Sequence, residues 1–280
     1  MIVPSDRPLS EIELVAFDLE TTGLCARSCR IVEFGAVRFR LDGTEVACME
    51  QLVDPGCRIP RFVTGIHGIT DAMVKGMPGV GAILPRFRDF LGDPDTLLMA
   101  HNAAFDIRFL EAAFNRSRAE LPVQPVLDTL RLARRCVHGL SNRRLQTLAI
   151  HFGLAAREDH RALSDARLAK GLFLAILRER GDLRTIQDLF DLAKPMEFGV
   201  ATADPLPVAA VTAELTWAIQ QQRTVVMVYS GGSSGSASRR ITPLSLVRSG
   251  GRPYMVAVCH IDGIEKTFRL DRIVELRVDE

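Results

Sequence analysis

The chain lacks an excess of charge of either sign. Lys and Arg total 35 against 34 Asp and Glu, which excludes a polybasic coat as the means of holding nucleic acid. Local patches would have to attract a phosphate backbone. No apolar run reaches the roughly 20 residues that a membrane helix needs, and the N-terminus carries no secretory pattern. The six cysteines lack the pair-of-pairs spacing of a zinc site, and only Cys25 and Cys29 lie close together. Free thiols of a reducing, cytoplasmic compartment are expected. What is present is apolar material: 47% of the 280 residues are hydrophobic, enough for one large domain and a small one.

Glu13 to Asp18 reads as an apolar strand that ends in acid. Side chains along a strand alternate with a period of two, so Asp18 and Glu20 face the same way. Thr21-Thr22-Gly23 reads as a turn. Hard divalent cations prefer carboxylate oxygens, although a solvated strand end explains Asp-x-Glu equally well when taken alone.

A second segment has the same shape. Thr96 to Ala100 is a short apolar strand ended by His101-Asn102. Ala103 to Phe114 follows as a helix, with Phe105, Phe109 and Ala112/Ala113 at core spacing. Asp106 falls in its opening turns, where an acid also suits the helix dipole. The third segment is a polar loop, Glu158 to Arg161, before an amphipathic helix from Ala162 to Arg178. Asp165 lies early on that helix and His160 just precedes it. An imidazole titrating near pH 6.5 suits a general base that takes a proton from water.

These five residues occur in an order and at a spacing that resemble the DEDD exonuclease superfamily, in its histidine-containing subgroup, with epsilon-subunit-like and ribonuclease-T-like members the nearest in pattern. The resemblance covers roughly residues 10–180. It implies an α/β, ribonuclease H-like mixed sheet flanked by helices. It also implies that Asp18, Glu20, Asp106 and Asp165 bind two divalent metal ions, Mg²⁺ or Mn²⁺, and that His160 activates the attacking water. Two such ions clamp the attacking and leaving oxygens of an in-line displacement. The product would be nucleoside 5′-monophosphates, released from a 3′ end.

Leu19, Thr21, His67 and Asn102 are the candidate substrate contacts. His67 also reads as a turn histidine before a helix capped by Thr70 or Asp71, and Asn102 as a tie for its own loop. Leu140 to Gly153 reads as a helix, from which Arg143 and Arg144 would meet phosphate or simply be solvated. Arg30 to Arg40 and Glu45 to Val53 alternate as two strands joined at Asp42-Gly43. A helix over Val80 to Leu91 contains Pro85, which should kink it or lie in its first turn.

The character of the chain changes after about residue 193. A helix-stopping Lys194-Pro195 and the Pro/Ala-rich ATADPLPVAAV form a linker, so the expected division is 10–180, 181–211 and 212–280. A short helix over Thr212 to Gln222 precedes strands at 225–229, 240–247 and 253–260, and the chain ends in FRLDRI. A glycine/serine turn, GGSSGSAS, interrupts the strands, and the whole reads as a small mainly-β barrel or sandwich. This tail resembles a WYL domain over residues 212–280, with Pro253 and Met255 in place of the naming tryptophan and leucine. The resemblance assigns Tyr254, Arg269 and Arg272 to a groove for nucleic acid or a nucleotide, since Arg forks match phosphate and tyrosine stacks on bases. Pairing of Arg269 and Arg272 with Asp271 and Glu275 is the alternative. Nine basic residues face seven acidic ones over this stretch, only a slight basic excess.

The expected function is a 3′–5′ exonuclease on single-stranded DNA or RNA, acting in DNA repair or beside a separate polymerase partner. The alternatives are an exoribonuclease that degrades short RNA, and a ligand-sensing regulator with secondary cutting.

Overall fold

The computed structural model describes residues 6–155, 159–199, 206, 208–230, 238–249 and 251–279. These form two compact units. The first takes the described residues up to Thr22, Arg30–Ile59, and those from Val63 through position 201. The second takes Gly23–Cys29, Pro60–Phe62 and the described residues from position 202 onward.

The first unit begins with three antiparallel strands, β1 (Leu14–Thr21), β2 (Ile31–Phe39) and β3 (Glu45–Leu52). Asp42 and Gly43 make the tight turn between β2 and β3. The Asp42 carboxylate accepts from the Thr44 N–H at 2.8 Å, and Gly43 sits at φ +91. Helices α1 (Arg61–His67), α2 (Asp71–Val74) and α3 (Val80–Leu91) lead to β4 (Leu97–Ala100). Helix α4 (Ala104–Ser117), β5 (Val126–Asp128), α5 (Thr129–Cys136), α6 (Leu145–His151), α7 (Ala162–Arg180) and α8 (Ile186–Leu192) follow. The sheet order is β3-β2-β1-β4-β5, with β4 parallel to both of its neighbours. This is the mixed sheet flanked by helices that the strand and helix pattern predicts.

The two faces of the sheet divide the labour. Phe17 and Phe34 point to one side and meet Phe87 of α3, with ring centroids 6.2 and 4.8 Å apart. Leu14 and Ala16 point to the other side and share a core with Val37, Phe39, Leu172 and Phe173 of α7. Continuing the alternation along β1 brings Asp18 and Glu20 to this second face. The site therefore grows out of the edge of a hydrophobic core.

Several elements differ from expectation. Thr21 is the last residue of β1 rather than part of the turn. His67 closes a helix, α1, rather than lying in a turn. The helix after it, α2, is capped as expected, with Thr70 accepting from the Met73 N–H. Pro85 sits in the interior of α3, beyond its first turn. The helix expected over Leu140 to Gly153 is only Leu145–His151. Arg143 turns inward and donates to the carbonyls of Val137 and Leu140, both at 2.7 Å. Asn142 accepts from the Arg144 N–H at 3.0 Å, which favours a turn over a helix there. The Leu140–Arg144 backbone is thus held by side chains, and Arg143 is not displayed toward a phosphate.

The second unit contains α9 (Val208–Gln220) and strands β6 (Val225–Tyr229), β7 (Arg239–Ser249), β8 (Arg252–Cys259), β9 (Glu265–Arg269) and β10 (Ile273–Val278). The strands form one antiparallel sheet in the order β10-β6-β7-β8-β9. The FRLDRI segment is split by a single 3-10 turn, Leu270–Arg272, between β9 and β10. Most of the ATADPLPVAAV linker and of the GGSSGSAS turn lies outside the described residues, as does Glu158.

One glycine controls how closely the helix layer approaches the sheet. A Cβ on Gly35 of β2 would lie 2.0 Å from the Ala162 carbonyl carbon and 2.1 Å from the Leu163 nitrogen. Backbone stands where a side chain would be, so Gly35 sets how near α7 can come to the sheet. Gly35→Ala is expected to destabilise the protein by about 1–3 kcal/mol, as overpacking does. Urea unfolding checks this, and an unchanged midpoint would refute the close approach.

Candidate active site

The site is assembled at element ends. Asp18 and Glu20 leave the final turns of β1 on the face that carries α7. Asp165 lies in the first turn of α7 and Asp106 in the first turn of α4. Oxygens of Asp18, Glu20 and Asp165 lie within 4.8 Å of one another. Asp106 stands beside this triad rather than within it. Its carboxylate accepts from the Leu19 N–H at 3.2 Å, between the two acids of β1.

Burial sets the electrostatics. Asp106 and Asp165 are 2% and 4% exposed, and Asp18 and Glu20 are half-buried. Burial raises the Glu20 pKa well above the ordinary range, and repulsion from Asp18, Asp165, Glu33 and Asp106 adds to the rise. Burial likewise raises Asp106, opposed by the Leu19 N–H and aided by Asp128. Hard oxygen donors crowded until they resist ionisation fit a divalent cation, whose charge removes the penalty.

His160 takes a left-handed backbone, φ +50, and its ring is 44% exposed with Nδ1 4.0 Å from an Asp165 oxygen. The imidazole therefore stands at the rim, on the solvent side of Asp165, as expected of a residue on the entering loop.

The candidate substrate contacts divide. Leu19 is buried and spends its N–H on Asp106. Thr21 is 5% exposed at the end of β1. His67 is buried and its Nδ1 accepts from the Ile69 N–H at 2.9 Å, so Nε2 carries the proton. Burial pushes its pKa down, and the Thr21 backbone pulls weakly the other way, which sets the ring beside Thr21. Asn102 has φ +68 and donates its N–H to Asp128 at 2.9 Å, which fits the loop-tie reading.

Sequence reasoning missed three residues here. Asp128 caps α5 through the Leu130 N–H and holds the Asn102 turn. His101 is half-buried, and desolvation pushes its pKa down to about 4. Its Nε2 donates to the Arg143 carbonyl and its Nδ1 faces the Thr129 hydroxyl, both at 3.0 Å. Glu33 is fully buried on β2, directly opposite Glu20. For Asp128 a signal existed: Val-Leu-Asp repeats the pattern of an apolar strand that ends in acid.

In the second unit, Tyr254 stands opposite Arg269 across β8 and β9. The Arg269 fork donates to the Asp271 carboxylate at 2.9 and 2.6 Å, while Arg272 is exposed. Arg269 thus follows the surface-pairing alternative, and Arg272 and Tyr254 remain open to solvent. Among the described residues, no helix is long and apolar enough to cross a membrane.

Comparison with known proteins agrees with this fold. Residues 15–173 match the exonuclease family RNase_T, and residues 210–278 match the WYL domain family. The chain is similar to the PolC-type DNA polymerase III of Clostridium perfringens, at 39% identity over 155 residues, covering 55% of this chain and 10% of that protein. It thus spans about a tenth of the length of that curated relative. A structure of exonuclease X in complex with 5′ overhanging duplex DNA is 28% identical, with a TM-score of 0.51, covering 65% of this chain and 98% of the other. Exonuclease I of E. coli, in complex with a dA16 oligonucleotide, shares the fold at 16% identity and a TM-score of 0.58, over 89% of this chain and 55% of that one.

The raised carboxylates predict a pH dependence. A carboxyl whose folded pKa lies above its unfolded value near 4 stabilises the fold below that value. The contribution is lost as pH rises through the folded pKa. In chelator, the stability contributed by Glu20 and Asp106 should therefore fall as pH is raised above about 4. Asp106→Asn should raise the metal-free melting temperature at pH 8. Calorimetry with and without chelator checks both, and a mutant less stable than wild type at pH 8 would contradict the burial penalty described for Asp106.

Proposed function

The chain belongs to the exonuclease family matched by residues 15–173, and on that premise we propose that it hydrolyses single-stranded nucleic acid from the 3′ end, releasing nucleoside 5′-monophosphates. The observation that carries this reading is the convergence of Asp18, Glu20 and Asp165 within 4.8 Å, with Asp106 alongside and His160 at the rim. Asp18, Glu20, Asp106 and Asp165 would hold two divalent ions, Mg²⁺ or Mn²⁺. When bound, such ions supply a nucleophile at neutral pH and offset charge on the leaving oxygen.

The remaining chemistry belongs to the chain. His160 sits where an exposed imidazole takes a proton from water attacking the terminal phosphodiester. An Asp165 oxygen lies 4.0 Å from the His160 Nδ1. Leu19 N–H orients Asp106, so the fourth carboxylate is preset before substrate arrives. Thr21 and the neutral His67 line the approach to the terminal nucleotide, and the Asn102 turn borders it.

DNA is the favoured substrate, because exonuclease X and exonuclease I were each captured with DNA. Degradation of short RNA is the alternative. A polymerase or repair partner is proposed from the similarity to PolC-type chains. The working modules are proposed as residues 10–180 and 212–280; of the stretch between them, α8 packs into the core of the first unit and α9 begins at Val208 in the second. The second is proposed to bind single-stranded nucleic acid or a nucleotide through Tyr254 and Arg272, with Arg269 recruited if phosphate displaces Asp271.

A time course on 5′-labelled single-stranded DNA and RNA, with Mg²⁺, Mn²⁺ or chelator, tests the first claim. A metal-dependent 3′ ladder is expected, absent in Asp18→Ala and slowed by about 10²–10⁴-fold in His160→Ala. Undiminished cutting by Asp18→Ala would overturn it. For the second module, Arg272→Ala should weaken binding and lower the slope of log K against log salt by about 0.7. An unchanged slope would remove Arg272 from the binding surface.

A further inference from the structure

Glu33 is an acid near the site that no metal role explains. It is fully buried on β2 and stands directly opposite Glu20 in the β1–β2 register. Like charges opposite one another destabilise a sheet, and Glu33 contributes to the raised pKa of Glu20. A buried apolar residue would serve stability at least as well. Some other task must account for an acid here.

Its contacts identify the task. The Arg161 Nε donates to both Glu33 oxygens at 3.1 Å, and the Arg161 terminal nitrogen closes a second contact with Oε1. The Ala162 N–H donates to the other oxygen at 3.0 Å. Arg161 also reaches Glu50 on β3 at 3.1 Å. Both captured residues belong to the start of α7: Arg161 caps the helix and Ala162 is its first residue. His160 immediately precedes them in its left-handed conformation, and Asp165 follows one turn later, its N–H donating to the Arg161 carbonyl at 2.9 Å. The gap at Gly35, two residues along the same face of β2, receives the backbone of Ala162 and Leu163.

We propose that Glu33 is a positioning residue for the cleavage reaction: through Arg161 and Ala162 it fixes the chain on either side of His160 and Asp165, so that base and carboxylate face the β1 acids. This rests on the proposed function of the site. Glu33 touches neither His160 nor the triad in a hydrogen bond, so it acts through Arg161 and is not itself catalytic. The charge of Arg161 also offsets that of Glu33, keeping one more uncompensated negative charge away from Glu20. Arginine suits this place because its planar fork engages both oxygens at once, which a lysine does not.

The test uses the full chain as wild type, Glu33→Gln, Arg161→Lys, His160→Ala and Glu33→Gln/His160→Ala. Cleavage of a labelled oligonucleotide, the unfolding midpoint and the imidazole ¹H–¹³C resonance of His160 are measured. Misplacement by an ångström costs on the order of 10²-fold in rate, so Glu33→Gln should lower kcat by about 10–100-fold, with KM nearly unchanged. Residues acting as a unit are non-additive, so in the His160→Ala background the same change should cost little more. The His160 resonance should shift or broaden in Glu33→Gln. Arg161→Lys should move kcat in the same direction, and it decides the matter if Glu33→Gln fails to fold. Fully multiplicative losses, or an unmoved resonance, would overturn the proposal. If wild type cuts neither DNA nor RNA, the functional reading fails, and the resonance alone decides the positioning claim.

Discussion

Carboxylates repel, and this fold gathers Asp18, Glu20, Asp106 and Asp165 at the edge of a hydrophobic core, where little water is available to screen them. Every neighbouring feature is arranged around that cost. Asp106 and Asp165 lie in the first turns of α4 and α7, where the helix dipole favours negative charge. Asp106 also accepts the Leu19 N–H. Glu33, the further acid behind Glu20, is neutralised by Arg161. A cost still remains: burial raises the pKa of both Glu20 and Asp106, and repulsion from neighbouring acids adds to the rise at Glu20. Hard oxygen donors gathered in this way suit a divalent cation, and the hydrolysis proposed for this chain rests on that.

The approach of α7 to the sheet is the mechanical side of the same constraint. Apolar packing of Leu172 and Phe173 on β1 and β2 brings the helix in, but it does not fix where its first turn comes to rest. Gly35 removes the obstacle and Glu33 supplies the anchor. Because Gly35 and Glu33 lie opposite Asp18 and Glu20, one short stretch of β2 sets the distance from Asp165 to both. Sequence-distant groups then meet with small tolerance.

The five candidate residues could be picked out in the sequence because each lies at, or just beside, one end of a regular element of clear period. Alternation along β1 placed Asp18 and Glu20 on one face, and helical spacing put Asp106 and Asp165 in first turns. Other features were less visible, for physical reasons. The Arg143 guanidinium spends itself on two carbonyls, and apolar periodicity through Leu145 and Leu148 hid the break before it. Glu33 looked like an ordinary polar position in an alternating strand, since its partner lies 128 residues away. Of the two readings of His67, substrate contact or turn histidine, the turn did not foresee the short helix that it closes. Long-range pairing and side chain-to-backbone capping leave no local period to read. In the tail, the strands were legible, but the pairing of Arg269 with Asp271 needed coordinates.

The most direct test of the central claim is anomalous diffraction from crystals soaked with Mn²⁺ and a nucleoside 5′-monophosphate. Two peaks about 3.5–4 Å apart are predicted, with Asp18, Glu20, Asp165 and Asp106 all serving as ligands. Absence of any peak at these acids under saturating Mn²⁺, or binding elsewhere in the chain, would contradict the assignment of the cluster as a cation-dependent cleavage centre.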